Sequence, residues 1–500
     1  MRLIARAAPL LLAAVAALTY GAAASAIAST RSLWIDEVLA VWTARLPTAS
    51  DVVTAIWNGA EFSPPTYDLL LHALFQAAGS DPLTARLPSI AAVLLAAALI
   101  GSIVHRRLGD PFGALAFALI LNSALFDYAI QARAYALLAA LTAATLVLWA
   151  GRGPRGANLR AAGVGVALFC AVSLHFYAIV GYAMFGLMEA LRTAAYRRAR
   201  PAMWIAFVVS GAACAVWAPL IRRLASFNAD DAASPDFYGA PTLSRLVEHA
   251  QALFVGANAF WLFILVALLI LAAAYCVARV SGRPSAPPAG APEDVTELAI
   301  IGVGLPSALP IGFALALCAT HVFSARYALA ASMGACILFT LAVARGPYRN
   351  FVGYSLLGLL CVLPLLRGGP GDLSAAGARL LKAHPSDGPI VIGDGNFFME
   401  MMDAAEPEIR ARLVYLRRPS GVKDGDTSSE SQLLRLKSAV RTDLPVRDFD
   451  SFVADHRAFT VLARPGNATD ALSAWFVERG WVSGASSLQP KIALLQVRAP

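Results

Sequence analysis

Apolar runs long enough to cross about 30 Å of hydrocarbon recur along most of the chain. They lie near residues 8–28, 87–104, 112–127, 133–150, 161–175, 176–191, 203–221, 251–277, 297–318, 326–344 and 350–366. On that length criterion they predict about eleven membrane-spanning helices. The stretch 161–191 is divided at Leu174-His175-Phe176-Tyr177; read as one helix, it would invert everything downstream. At the start, Arg2 and Arg6, an apolar run and Ala22–Ala26 have the features of a cleavable signal peptide. The run is long enough to span a bilayer and many spans follow, so an uncleaved first helix is expected.

The connections carry patterns of their own. Within the loop 29–86, Val52, Val53, Ile56 and Trp57 give Pro47–Asn58 the apolar spacing of a helix lying in the membrane interface. Pro64-Pro65 opens a second helix, Thr66–Ala78, too short to span comfortably and placed at the membrane surface. Residues 280–293, rich in Pro, Gly, Ser and Ala, read as a flexible linker between two groups of spans. After Arg367 the pattern changes. Strand-like 389–394, 412–416, 459–463 and 492–497 alternate with helical 373–383, 397–404 and 468–479. That alternation predicts a small soluble α/β domain of about 130 residues. The expected fold is therefore an α-helical polytopic membrane domain, 1–366, followed by an α/β domain, 367–500.

Composition agrees with this class. The chain is 58% hydrophobic and 14% charged, where a soluble domain carries nearer a quarter. The net charge of +8 is no nucleic-acid signature, because the basic residues fall in short clusters between apolar runs. Those clusters are Arg2/Arg6, His105–Arg107, Arg152/Arg155/Arg160, Arg192/Arg197/Arg198/Arg200, Arg279/Arg283 and Arg345/Arg349. They occupy every second connection, which puts the N-terminus inside. The outer, periplasmic face of a bacterial-type cytoplasmic membrane then receives 29–86, 128–133, the His175 turn, 222–250, 319–326 and the C-terminal domain. The six cysteines lie in or beside apolar segments without pairing or metal spacing. No Walker loop and no helix-opening GxGxxG is present, which argues against a nucleotide-driven pump.

Candidate chemistry begins at Ser32-Leu33-Trp34-Ile35-Asp36-Glu37, an acidic stretch at the mouth of the first apolar run. Three further outward positions combine charge with membrane depth: Asp127 with Arg133, His175 with Tyr177, and Arg326-Tyr327. Ionisable groups at such depth are functional candidates by default. Each also has a plainer reading: an arginine snorkelling to headgroups, a hydrogen-bonded helix break at His175, a solvated turn at Asp36. Four such positions on one face favour function.

These residues carry a resemblance. Trp34-Ile35-Asp36-Glu37, Pro64-Pro65-Thr66-Tyr67 leading to His72, and Ala85-Arg86-Leu-Pro-Ser89 resemble polyprenyl-phosphate-sugar-dependent glycosyltransferases of the GT-C class. The closest likeness is to family 39, the protein O-mannosyltransferases and the aminoarabinose transferases that modify lipid A. Gln131-Ala-Arg133-Ala-Tyr135, Leu174-His175-Phe176-Tyr177 and Arg326-Tyr327 match further pieces in the same order, over roughly residues 30–345. One departure stands out: Ser63 occupies the place of the family's usual histidine before Pro-Pro, and it cannot carry the charge a histidine could.

The resemblance implies a sugar donor on a polyprenyl phosphate and an acceptor hydroxyl on a lipid, glycan or protein. Asp36 is implied as the general base, with Glu37 orienting the site or sharing the proton load. Arg133 and Tyr135, with Arg326 and Tyr327, are implied to hold the leaving phosphate. Asp127, His175, Tyr177, Pro64, Pro65, Tyr67 and Arg86 are implied as substrate-binding residues. One-step displacement implies inversion at the anomeric carbon. No cofactor is required; a divalent cation at Asp36/Glu37 stays open, on weak grounds, because adjacent carboxylates show no third ligand. Two rival readings are a lipid-linked-sugar flippase or transporter, and a non-catalytic scaffold of the same fold. Charges gathered on one face and the absence of clear half-repeats speak against the first, and intact Asp36 and Arg133 against the second. In the C-terminal domain, Gly393-Asp394-Gly395-Asn396 after a strand reads as a tight turn or a ligand-binding one, with the structural reading favoured. The domain itself reads as a structural lid or an acceptor-recognition module. The sequon Asn467-Ala-Thr469 carries little weight without a eukaryotic secretory context.

Overall fold

The computed structural model describes residues 2–153, 155–232, 239–254, 258–281, 289–369, 371–386, 388–419, 428–467, 469–489 and 491–500. Residues 282–288 of the expected linker and Ala468 of the sequon lie outside them. The described chain is mostly helical. Among the described residues six helices are long and apolar enough to cross a membrane, by length and composition: Ala7–Thr30, Pro82–Leu108, Ala157–Leu174, Pro201–Phe227, Pro292–Thr320 and Arg349–Leu366. Shorter apolar helices follow at Phe112–Asn122, Tyr135–Trp149, Phe263–Arg279 and Ala330–Arg345. This is the pattern of a membrane protein. The run 251–277 is not one helix in the structure: Leu243–Phe254 and Asn258–Ser281 are separate elements on either side of residues 255–257, which lie outside the described residues.

The chain forms two compact units. One comprises Met1–Ala28, Arg86–Ala218 and Pro241–Gly368; the other comprises Ser29–Ala85, Pro219–Ala240 and Gly369–Pro500. The loop that follows the first long helix is thus grouped with the C-terminal segment.

In the first unit, small residues let helices approach closely, the usual solution where no hydrophobic effect drives helices together. A Cβ on Gly334 would lie 2.4 Å from Pro306 Cδ and 2.9 Å from the Gly302 carbonyl. Gly101 and Gly113 interlock in the same way, each presenting its backbone where the other's Cβ would sit. Three of the basic connections meet acidic side chains of this unit. Arg107 pairs with Glu297 at 3.1 Å, and Arg152 with Asp294 at 2.6 Å and Glu297 at 2.8 Å. Glu189, wholly buried, accepts from Arg200 and from Trp149 Nε1.

In the second unit, a six-stranded sheet has the order β3-β2-β1-β4-β6-β5, with β1 Ile390–Ile392, β2 Leu413–Leu416, β3 Val446–Arg447, β4 Ala458–Ala463, β5 Val482–Gln489 and β6 Ile492–Arg498. β3, β2, β1 and β4 run parallel, while β6 pairs antiparallel with β4 and β5 with β6. Phe449, Phe452, Phe459 and Phe476 form an aromatic core on Val461 and Val497. The two other stretches of this unit bond to this segment: Gln432 Nε2 donates to the Ala60 carbonyl at 2.9 Å, and Arg435 donates to the Phe227 carbonyl at 3.3 Å.

Asp394 explains the glycine-flanked turn. Its carboxylate is fully buried and caps the helix Gly395–Ala404 by accepting from the Asn396 and Phe397 amides. The same carboxylate accepts from Arg464 at 2.9 Å, Asn467 at 3.1 Å and Thr469 at 2.7 Å. A buried carboxylate with this many partners is spent on structure. Asp394→Ala, which strands Arg464, is expected to destabilise the second unit by about 3–5 kcal/mol. Asp394→Asn, which keeps a capping oxygen, is expected to cost less. Denaturant unfolding followed by Trp475 and Trp481 fluorescence checks both; an Asp394→Ala midpoint equal to wild type contradicts the assignment.

Candidate functional site

The predicted site residues fall into two groups. Asp36, Glu37, Pro64, Pro65 and Tyr67 belong to the second unit. Arg86, Asp127, Arg133, Tyr135, His175, Tyr177, Arg326 and Tyr327 belong to the first.

The acidic stretch forms the first turn of the helix Ile35–Ala44, where the helix dipole favours carboxylates. Trp34 is extended and has no side-chain oxygen with which to cap. The end is closed instead from within: Glu37, fully buried, accepts from the Trp34 amide at 3.2 Å, while its own amide donates to the Trp34 carbonyl at 2.8 Å. Glu37 therefore shapes the turn that displays Asp36, which is half-buried. Behind it, the helix Thr66–Ala78 forms over the expected residues, with Pro65 immediately before its first turn and no side-chain capping bond, and His72 Nδ1 lies 3.0 Å from the Ala44 carbonyl. Ser63, Pro64 and Tyr67 are buried in this packing. The serine that replaces histidine sits in a closed setting.

In the first unit, three helix interruptions meet. Phe112–Asn122 stops where Ser123 turns its hydroxyl to the Ile120 carbonyl at 2.8 Å. The chain then crosses Asp127–Arg133 before the helix Tyr135–Trp149, held by Gln131 Nε2 donating to the Asp127 carbonyl and by Ser89 Oγ donating to the Arg133 carbonyl. Ala157–Leu174 stops at His175, which is extended (φ −161°); its Nδ1 accepts from the Tyr177 amide at 3.2 Å and starts a single 3₁₀ turn. A neutral ring so held carries its proton on Nε2. The third interruption, Ala316–Thr320, ends with His321 in left-handed geometry (φ 55°), and Tyr177 Oη bonds Thr320 Oγ1 and the Val322 carbonyl. Arg326-Tyr327 follow in a 3₁₀ turn before Ala330–Arg345.

The result is an aromatic and cationic cluster. Tyr177 and Tyr327 stack at 3.9 Å and 8°. His175 lies 5.2 Å from Tyr327 and 5.4 Å from Tyr135. Arg133 and Arg326 approach the ring of Tyr135 at 5.8 and 5.5 Å. Two guanidinium groups against one ring concentrate positive charge in a poorly hydrated setting, where charge-assisted bonds to an anion are strongest. A cavity of about 60 Å³ adjoins the cluster. One part of its wall is Tyr135, His175, Tyr177, Arg326 and Tyr327; the rest is largely apolar, with Leu168, Val180, Met184, Phe185 and Leu329. The arrangement suits a ligand with an anionic head and an apolar body.

Arg86 is fully buried and donates to the Ala28 carbonyl at 2.7 Å, tying the second long helix to the end of the first. Asp127 pairs with Arg367 at 3.6 Å. Arg367 was missed in the sequence, where it marks only the end of the last apolar run. It is buried, lies over Phe126 at 4.5 Å and donates to the Asn122 carbonyl at 2.5 Å. Its position at a span terminus on the same predicted face was the signal available. Tyr128, 5.8 Å from Tyr135, was likewise missed beside Asp127.

Glu37→Ala is expected to weaken the acidic helix by about 1 kcal/mol through loss of the cap, seen as faster amide exchange at Glu37 and Val38. Glu37→Gln keeps an accepting oxygen and is expected to exchange as wild type does.

No protein-family model matches the chain, and no curated protein matches it in sequence. Solved structures do. The chain is similar to ArnT from Cupriavidus metallidurans in the apo state, at 13% identity over 97% of both chains with a TM-score of 0.45. It is similar to the same protein bound to undecaprenyl phosphate, at 13% identity over 97% of both chains with a TM-score of 0.43. The Archaeoglobus fulgidus oligosaccharyltransferase in the apo form matches at 11% identity over 91% of this chain and 69% of that one, with a TM-score of 0.44.

Proposed function

We propose that this chain is an integral-membrane glycosyltransferase that moves a sugar from a polyprenyl-phosphate donor to a hydroxyl acceptor. The observation that carries the reading is the cluster in the first unit. Tyr135, His175, Tyr177, Arg326 and Tyr327, from three segments far apart in sequence, line one cavity with a cationic end and an apolar remainder, and Arg133 approaches the ring of Tyr135. A polyprenyl phosphate has that same division, a dianionic or monoanionic head on a hydrocarbon chain.

In this reading Arg133 and Arg326 bind the donor phosphate, with Tyr135 and Tyr327 holding the guanidinium groups in place. Asp36 takes the proton of the acceptor hydroxyl as its oxygen attacks the anomeric carbon. The bond from that carbon to the phosphate oxygen breaks, its electron pair stays on the phosphate, and the arginines stabilise the charge that develops. The product is an inverted glycoside and a free polyprenyl phosphate. Asp127, His175, Tyr177, Pro64, Pro65, Tyr67 and Arg86 complete the proposed substrate surroundings. The broader proposal is a GT-C membrane domain of about eleven spans and a C-terminal α/β domain, in a bacterial cytoplasmic membrane with Asp36 on the periplasmic side. Val53 and Trp57, 43% and 44% exposed on the helix Ala49–Trp57, support an interfacial position for it.

The test is transfer of labelled sugar from polyprenyl phosphate in membranes at matched expression. Asp36→Asn is expected to lose about 10²–10⁴-fold in rate, and Arg133→Ala about 10²–10³-fold. Wild-type rates in Asp36→Asn would remove Asp36 as the base. If wild type transfers no sugar from any polyprenyl-phosphate donor, the transferase reading fails.

A further inference from the structure

The helix that carries Asp36 is held at both ends by carboxylates from the C-terminal segment of its own unit. Ahead of the helix, the Ser32 amide donates to Asp372 Oδ2 at 2.8 Å. At its first residue, the Ile35 amide donates to Glu400 Oε1 at 2.8 Å. An amide in the first turn has no partner inside its own helix, so an acceptor must come from elsewhere. Towards the other end of the helix the hold is repeated: Trp42 Nε1 donates to Asp403 Oδ1 at 2.9 Å and Arg45 Nη1 to the same oxygen at 3.3 Å. Arg441 covers the Trp42 ring at 4.7 Å.

Glu400 and Asp403 lie one helical turn apart on Gly395–Ala404, and that helix is itself fixed by the buried Asp394 cap. Asp372 caps the neighbouring helix Leu373–Ala383, whose Ser374 Oγ donates to the other Glu400 oxygen at 3.3 Å. The chain from Asp394 through Glu400 to Ile35 thus ends one residue from Asp36.

We propose that the C-terminal segment serves as a positioning template for the acidic helix, and that Glu400 is its principal positioning residue. The proposal rests on Asp36 being the base. It assigns the segment a part in the reaction that neither a lid nor an acceptor-recognition module requires. A base must stand within hydrogen-bond reach of the proton it takes, and small misplacements of reacting groups are costly. A single amide acceptor next to Asp36 sets the rotation of the helix start, while Asp403 fixes its far end. Burial pushes the Glu400 carboxyl up to about 7, against the weaker opposing effect of the Ile35 amide. Its neutral form is accordingly accessible at neutral pH, and glutamine is a close copy that still accepts from the Ile35 amide.

The experiment uses the full chain in membranes or detergent, with transfer kinetics and amide exchange over residues 32–45. Glu400→Ala is expected to lower kcat at least tenfold with donor KM within twofold of wild type, and to speed exchange at Ile35. Glu400→Gln is expected to restore most of both. Equal exchange or equal kcat in Glu400→Ala and wild type would overturn the proposal, as would a Glu400→Gln that is no better than alanine. Should Glu400→Ala fail to accumulate, Asp403→Ala tests the same hold from the other end and is expected to lower kcat with donor KM unchanged; wild-type kcat there overturns it. The two readings separate: a fully active Asp36→Asn removes the base assignment, whereas unchanged exchange in Glu400→Ala removes the template whatever Asp36 does.

Discussion

In hydrocarbon a backbone amide or carbonyl without a partner costs several kcal/mol, so a helix that stops inside an apolar unit must satisfy the freed groups from within the protein. That constraint shapes the first unit. Its helices stop at Asn122, Leu174 and Thr320, and each stop is answered by side chains. Arg367 supplies donors to the Asn122 carbonyl and Asn122 Nδ2 donates to the Leu360 carbonyl. His175 accepts from the turn that follows it, and Tyr177 binds the Val322 carbonyl. The residues that mend the breaks are also the residues with chemistry to offer. Once polar groups must be brought in to satisfy the backbone, a binding site costs little more than their correct choice.

This explains why part of the site was legible in the sequence. A charged or aromatic residue inside an apolar run has few reasons to be there, so Arg133, His175, Tyr177, Arg326 and Tyr327 stood out singly. Their order along the chain is what carries the resemblance drawn from the sequence. The break at Leu174–His175 was legible for the same reason, since a histidine between two apolar runs interrupts both. Arg367 escaped notice because an arginine at the end of a run reads as snorkelling, and only packing shows that it reaches back to Asp127 and Phe126. The run 251–277 misled because hydropathy is continuous across it, while the helices on either side of 255–257 differ: Leu243–Phe254 carries Arg245, Glu248 and His249, and Asn258–Ser281 is apolar almost throughout.

The C-terminal segment shows the complementary lesson. Four strands with strong β-branched or leucine-rich runs were predicted near where they occur, at β1, β2, β4 and β6. β5 was missed because Ser483, Gly484, Ser486 and Ser487 give no alternation. It forms at the sheet edge by pairing with β6 across two irregularities in register, so its partner rather than its own side chains determines it. β3, two residues long, had no signal to give. The grouping of 29–85 with this segment is a product of long-range contacts such as Gln432 to Ala60, which no local pattern encodes.

The same long-range contacts bear on what the acidic stretch can do. Adjacent carboxylates in the first turn of a helix look interchangeable in sequence, yet their surroundings differ. Glu37 is buried and committed to the Trp34 amide, and an oxygen so committed is a poor candidate to exchange protons with a substrate. Asp36 keeps partial exposure on a turn whose start is fixed by Glu400 and whose end is fixed by Asp403. A carboxylate presented from a clamped helix loses less freedom on meeting its substrate than one on a loose loop, and preorganisation of that kind is a main source of catalytic rate. The two acids therefore differ in their surroundings: Glu37 builds the turn, and the proposed reading gives the base to the more exposed Asp36.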